Sequence, residues 1–255
     1  MLLFLAPLVG FAAGVLGSMF GLGGGFLLVP LLNIAGVDMR VAVGTSASAI
    51  FFNMLSSTLA YSRYRYVIYR AGLLLSATAI ITAYLGAQLT SLLDANTLRV
   101  LFGLLLIFVG TRVYLNRGGR SDLDGNGLKW SLRNYAILSL GGSLAGLMAG
   151  LLGIGGGVVN VPLLTSLGVA IHYAVATSSM AITLTSITSA LTHYTLGNVD
   201  LQLLVLLAPS LIIGAQVGAS VARRTKTGTL KKGFAVTLWF VAARMVLKGI
   251  GLPIP

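Results

Sequence analysis

The chain has 255 residues, of which 56% are hydrophobic and 9% charged, with a mean hydropathy of +0.95. A soluble domain carries about 25% charged residues, so a soluble enzyme, a disordered chain and a disulfide scaffold all fit poorly. Basic residues outnumber acidic ones by 17 to 5, a formal net charge of +12; in so apolar a chain this reads as basic loops facing anionic lipid, not as a nucleic-acid footprint.

The composition predicts an all-α polytopic membrane protein. Apolar stretches run at about 2–22, 24–37, 41–60, 70–90 and 97–115, and again at about 134–153, 156–169, 173–194, 201–222 and 229–248. Four in each set are long enough to cross a bilayer at about 1.5 Å per residue. The second of each set has only about 14 residues, a length at which a re-entrant segment is the first expectation. Residues 1–20 lack the basic n-region of a removable signal and have an internal counterpart, so they read as part of the fold.

A shift of 132 residues lays the chain over itself without a gap. GLGGGFLLVPLLNIAGV (21–37) matches GIGGGVVNVPLLTSLGV (153–169), VAVGTSASAI (41–50) matches YAVATSSMAI (173–182), and LFGLLLIFVGTRVYL (101–115) matches GFAVTLWFVAARMVL (233–247). Low-complexity apolar sequence would not keep Pro30 and Pro162, or Arg112 and Arg244, in register. The expected domains are a first membrane repeat at 1–115, a cytoplasmic linker at 116–133 and a second membrane repeat at 134–255.

Charge decides the orientation. If all five stretches of each half cross, the halves are inverted. One side then receives 13 of the 17 basic residues, among them Arg63, Arg65, Arg70, Lys129, Arg133, Arg223 and Arg224, and the other only Arg40, Arg99, Arg244 and Lys248. If the short stretches turn back, the split is 10 against 7. The positive-inside rule favours ten segments in two inverted five-segment repeats, the architecture of secondary transporters, whose substrates bind near the midplane.

Gly21, Gly23, Gly24 and Gly25 separate the first two stretches, and Gly153, Gly155, Gly156 and Gly157 do the same in the second half. No charged residue lies near either cluster, as expected of a broken helix within the membrane, where irregular backbone must be buried or face a cavity. A short helix starting near Phe26 or Val158 would aim its N-terminal N–H groups at that cavity and attract an anion. The alternative is that these glycines only permit close helix packing, as in GFAAG (10–14), GSLAG (142–146) and GAQVG (214–218). A phosphate loop does not fit, because GLGGGF lacks the Lys-Ser/Thr pair.

Thr45 and Ser46 match Thr177 and Ser178 at the start of the third stretch of each half, with Ser48 and Ser179 nearby. Such hydroxyls can donate to an anion or cap a helix. Asn33, Asn53 and Asn160 lie in apolar stretches, and Asn53 and Asn160 are the pocket candidates; otherwise they hydrogen-bond between helices. His193 corresponds to Tyr61 and is a weaker candidate for a proton-linked role. The acids Asp38, Asp94, Asp122, Asp124 and Asp200 all fall in loops or at ends, so no span carries the central carboxylate that proton pumps and cation carriers keep. The substrate expected is an anion or a neutral solute.

The doubled GLGGGFLLVPLL and GIGGGVVNVPLL, the following VGTS and ATSS, and TLRVLFGLLLIFVG (97–110) resemble the sulfite exporter TauE/SafE permease family over nearly the whole chain. The resemblance implies an inner-membrane permease that exports sulfite, sulfoacetate or similar sulfur oxyanions and organosulfonates. Thiosulfate-uptake relatives rely on cysteines, and this chain has none.

The expected activity is transport, not catalysis, with Gly23, Gly24, Gly25, Thr45, Ser46, Asn53, Gly155, Gly156, Gly157, Asn160, Thr177 and Ser178 around the substrate. No cofactor, metal or nucleic acid is expected; the partners are a small anion, the bilayer and, as a further candidate, a second copy of the chain. The competing readings are a transporter of a neutral solute or metal ion and a membrane-embedded assembly factor. In the inverted arrangement both termini lie outside the cytoplasm. A C-terminal phosphatase fusion is therefore expected to be active and a C-terminal green fluorescent protein fusion dark; the reverse result rejects the topology.

Overall fold

The computed structural model describes residues 2–115, 128–224, 239–240 and 242–251. The described elements are helices: α1 (Leu2–Phe20), α2 (Gly25–Ile34), α3 (Met39–Arg63), α4 (Tyr69–Leu92), α5 (Ala95–Leu115), α6 (Leu132–Leu152), α7 (Gly157–Ser166), α8 (Ile171–Thr195) and α9 (Leu201–Arg224). Further helical residues at 239–240 and 242–249 belong to the last apolar stretch. Most of the linker expected at 116–133, with Asp122 and Asp124, lies outside the described residues.

The first nine stretches read from the sequence become helices to within a few residues. The two short ones are built and ended alike. Pro30 and Pro162 stand inside α2 and α7, where each removes an N–H and crowds the preceding turn. A few residues later both chains close in the same turn: Val37 N donates to Leu32 O and Val169 N to Leu164 O, after a left-handed glycine at 36 and 168. Asn33 is used here. Its amide donates to Val37 O at 3.0 Å and accepts from Arg99 Nε at 3.2 Å.

Four described helices, α4, α6, α8 and α9, are long and apolar enough to cross a membrane. The buried centre is the pair α3 and α8. Around it α1 packs on α9 and α4 on α6, while α3 also meets α9 and α8 meets α4. Exchanging each first-half helix for its second-half counterpart leaves this pairing unchanged.

The direction of each pair follows from its contacts. Gly10 lies against Leu207 and Ser210, Gly14 against Leu211, and Gly218 against Val15, so α1 and α9 run parallel. Gly142 meets Leu75, Gly146 meets Ala79 and Gly150 meets Ala83, so α4 and α6 also run parallel. In contrast α3 and α8 are antiparallel. The start of α3 reaches the end of α8 through Gly44 and Asn198, and its later part meets the earlier half of α8 through Ser57 and Ser179. These crossings are backbone-close because glycine carries no side chain, the means by which helices associate where lipid supplies no hydrophobic drive.

The two ends differ in charge. At one end the three described aspartates each cap a helix: Asp38 accepts from Arg40 N, Asp94 from Asn96 N and Thr97 N, and Asp200 from Leu203 N. The Thr97 hydroxyl and backbone N–H hold the Asp94 carboxyl below the usual carboxylate range. The side chain of Arg40 caps the end of α4 through Leu93 O. At the other end Arg70 lies over Trp130 and Tyr135, Arg223 lies over Tyr64, and Tyr66 packs on His172 and Tyr173. Aromatic and cationic groups together mark a membrane–water interface.

At Gly146 a Cβ would collide with the carbonyl oxygen of Ala79 across the α4–α6 crossing. Gly146→Ala is therefore expected to cost about 1–3 kcal/mol through overpacking, measured as a lowered melting temperature of the detergent-purified protein.

Candidate functional site

The glycine clusters meet at the centre of the molecule. A Cβ built on Gly23 would come within 3.4 Å of the Gly155 Cα, and one on Gly155 within 3.4 Å of the Gly23 Cα. Both would touch Ile50 Cγ2 at 3.3 Å. Ile50 lies near the middle of α3, and its counterpart Ile182, near the middle of α8, completes a small apolar cluster with Met54. Residues 21–25 and 153–157 are buried. Irregular backbone thus stands half way along the central helices, as the broken-helix reading expects.

The short helices start from this crossing. Gly24 and Gly156, the residues before α2 and α7, are left-handed, at φ 87° and 69°, a conformation that side chains disfavour. Neither helix start has a side-chain cap. The next residues cross over between halves: a Cβ on Gly25 would meet Gly153 O, and one on Gly157 would meet Gly21 O and the Leu22 Cα. Each short helix therefore begins against the other half's loop. The partial positive charge of a helix N-terminus falls beside those carbonyls and toward the common centre.

The hydroxyl candidates reach the same loops. The Ser46 Oγ donates to Gly153 O at 2.9 Å, and Ser178 Oγ donates to Gly21 O at 2.8 Å. Thr45 Oγ1 accepts from Asp200 N at 2.9 Å, and Thr177 Oγ1 from Ile68 N at 3.0 Å. The helices α3 and α8 begin earlier than the apolar pattern indicates, at Met39 and Ile171, so all four residues sit in the second turn. None of them caps its own helix; each binds backbone in a distant segment.

Asn53 donates Nδ2 to Gly23 O at 2.9 Å and is fully buried, with Oδ1 unpartnered. Asn160 stands in the first turn of α7, also buried with Oδ1 unpartnered. A buried polar atom without a partner is costly, so these acceptor oxygens are where a water or a ligand's N–H or O–H donor gains most. The structure thus brings Gly23–Gly25, Gly155–Gly157, Ser46, Ser178 and Asn53 around one crossing, with Asn160 one turn along. Thr45 and Thr177 point away from it, toward the ends.

A further polar track lies between α3 and α8. Ser18 and Ser57 share a hydrogen bond of 2.9 Å, Ser57 donates to Ser179 at 3.2 Å, and Thr58 and Thr183 are paired at 3.1 Å. Tyr61 OH donates to Ser18 O at 3.0 Å, and in the matching place His193 Nε2 binds Gly150 O at 2.8 Å, its Nδ1 unpartnered. The signal in the sequence is hydroxyls at helical spacing, Ser179, Thr183 and Ser186 above all. Among the described residues no three His, Asp or Glu side chains come together as a metal site would require.

A family model described as "Sulfite exporter TauE/SafE" matches residues 6–245. The chain is 30% identical to the "Probable membrane transporter protein YunE" of Bacillus subtilis, over 95% of this chain and 96% of the relative. It is 28% identical to a "Probable membrane transporter protein" of Haemophilus influenzae, over 96% and 98%. The Arabidopsis thaliana "Sulfite exporter TauE/SafE family protein 6" is 29% identical over 43% of this chain and 25% of that protein. No solved structure matches the chain significantly.

Two asparagine variants should separate structure from binding. Asn53→Ala leaves Gly23 O without its donor and is expected to lower stability by about 1–3 kcal/mol. Asn160→Leu copies its counterpart Leu28 and removes both an unpartnered acceptor oxygen and the amide N–H donors that an anion would use, so it is expected to leave the melting temperature unchanged or raise it while weakening anion binding. Thermal melts with and without the anion measure both.

Proposed function

The chain belongs to the sulfite exporter TauE/SafE family and is a multi-pass membrane transporter; from that premise we propose that it exports a small anion, a sulfur oxyanion or organosulfonate such as sulfite or sulfoacetate, across the cell (inner) membrane. The observation that carries this reading is the pair of short helices, α2 and α7, starting at left-handed glycines on one central crossing. Two helix N-termini and their backbone N–H groups can hold an anion with no cationic side chain, as in transporters whose broken helices face the substrate.

Transport is by alternating access between two inverted repeats. Support comes from helix direction. If each short helix reversed the parity of its half, α3 and α8 would run the same way; they are antiparallel, while α1 with α9 and α4 with α6 run parallel. The positive-inside rule then assigns the Arg70 end to the cytoplasm. The described aspartates are confined to helix caps at the far end, which leaves the centre suited to an anion.

An inside-negative potential drives an anion outward by about 2.3 kcal/mol per charge per 100 mV, so export runs on voltage without a coupling ion. A second reading, a neutral solute rich in N–H or O–H donors, is favoured by the unpartnered oxygens of Asn53 and Asn160. Proteoliposomes loaded with radiolabelled sulfite or sulfoacetate distinguish them. Efflux is expected to rise several-fold when a potassium–valinomycin gradient makes the lumen negative. Efflux indifferent to the potential rejects voltage-driven export, and no efflux of either anion rejects this substrate class.

A further inference from the structure

We propose that Thr45–Ser46 and Thr177–Ser178 are a pair of latches, one closing each side of the central crossing, and that release of one or the other decides which side of the membrane the site faces. The proposal rests on the alternating-access reading above and deepens it by naming the bonds that alternate.

The geometry comes from three facts. First, the pairs are equivalent: they occupy the same register in the two halves and make the same bonds. Each serine donates to the carbonyl of the other half's glycine loop, Ser46 to Gly153 and Ser178 to Gly21. Each threonine accepts the backbone N–H just before a long helix, Thr45 from Asp200 ahead of α9 and Thr177 from Ile68 ahead of α4. Second, both pairs lie in the second turn of their helix, and α3 and α8 are antiparallel. One pair therefore stands on the Asp38 side of the Gly23–Gly155 contact and the other on the Arg70 side. Third, each serine's acceptor is the carbonyl against which the opposite short helix begins: Gly153 O abuts Gly25, and Gly21 O abuts Gly157. Opening a latch parts a glycine loop from the start of a short helix. The N–H groups that would hold an anion then face that side.

With all four bonds made, both sides are closed. The two latches share one pivot, since the glycine loops touch backbone to backbone and cannot both retreat without losing that contact. Hydroxyl–carbonyl bonds suit the task. Each is worth little net, so thermal motion exchanges them, yet a buried carbonyl left without a donor is costly enough that both are not released together.

The absence of cysteine in the chain makes the test direct. Ile50→Cys places a single thiol at the crossing, fully buried in the closed form. Its labelling by a charged, membrane-impermeant methanethiosulfonate is read in vesicles of each orientation. Added to that reporter, Ser46→Ala is expected to speed labelling from the Asp38 side by about fivefold, the population shift from losing one hydrogen bond. Ser178→Ala is expected to speed it from the Arg70 side alone. Thr45→Val and Thr177→Val, which keep side-chain shape, should repeat the pattern and serve if the alanine variants fail to insert. Rates that rise equally from both sides, or do not change in inserted protein, overturn the latches. No substrate is needed, so opposed labelling with no sulfite or sulfoacetate efflux would reject the anion and keep the latches, whereas efflux with unchanged labelling would do the reverse.

Discussion

Two glycine loops pressed together in the middle of a membrane protein impose most of what surrounds them. Backbone there has no water to turn to, so its carbonyls need donors from the protein. Gly23 O takes the Asn53 amide, Gly153 O takes Ser46 and Gly21 O takes Ser178. Those donors must come from helices that pass the crossing, which is why α3 and α8 carry so many hydroxyls. Polar helices cannot face lipid, and the apolar α1, α9, α4 and α6 enclose them. The low charged fraction of the chain, the polar pair at its centre and the small-residue seams outside all follow from one contact.

Much of this was legible in the sequence. The ten apolar stretches, the doubled glycine clusters and the equivalence of Thr45–Ser46 with Thr177–Ser178 need only the 132-residue shift. The shift gives equivalence and not contact, however. It pairs Ser46 with Ser178, whereas the partner of Ser46 is Gly153 and that of Ser178 is Gly21. Sequence places Thr45 beside Ser46 and so groups them as one pair of ligands; the helix turns the threonine toward the Asp200 N–H instead. The onset of α3 at Met39 was hidden because Arg40 interrupts the apolar pattern while Asp38 caps the helix. Ser18 and Ser57 carried no motif, since a buried hydroxyl becomes significant only when another faces it. Lys226, Lys231 and Lys232, which weigh in the charge argument, lie outside the described residues.

The ends of the molecule are built on a different principle from its centre. Aspartates are spent on helix starts at one end, where the exposed Asp94 also binds its own turn. Arginines at the other end lie on aromatic rings. Neither arrangement sends charge toward the crossing. That separation leaves the proposed central site to backbone dipoles, whose strength does not change with pH.

The two halves share a backbone plan but not every side chain. Asn53 stands opposite Thr185, Leu28 opposite Asn160 and Tyr61 opposite His193. Were the halves identical, the two one-sided forms of an inverted pair would be related by a two-fold rotation and equal in energy in a symmetric bilayer. Such a carrier would have no resting direction of its own. On the alternating-access reading proposed above, each mismatch breaks the degeneracy, so central differences such as these three would set which way the empty protein waits. In the proposed carrier the repeat would supply the motion and its imperfections the bias.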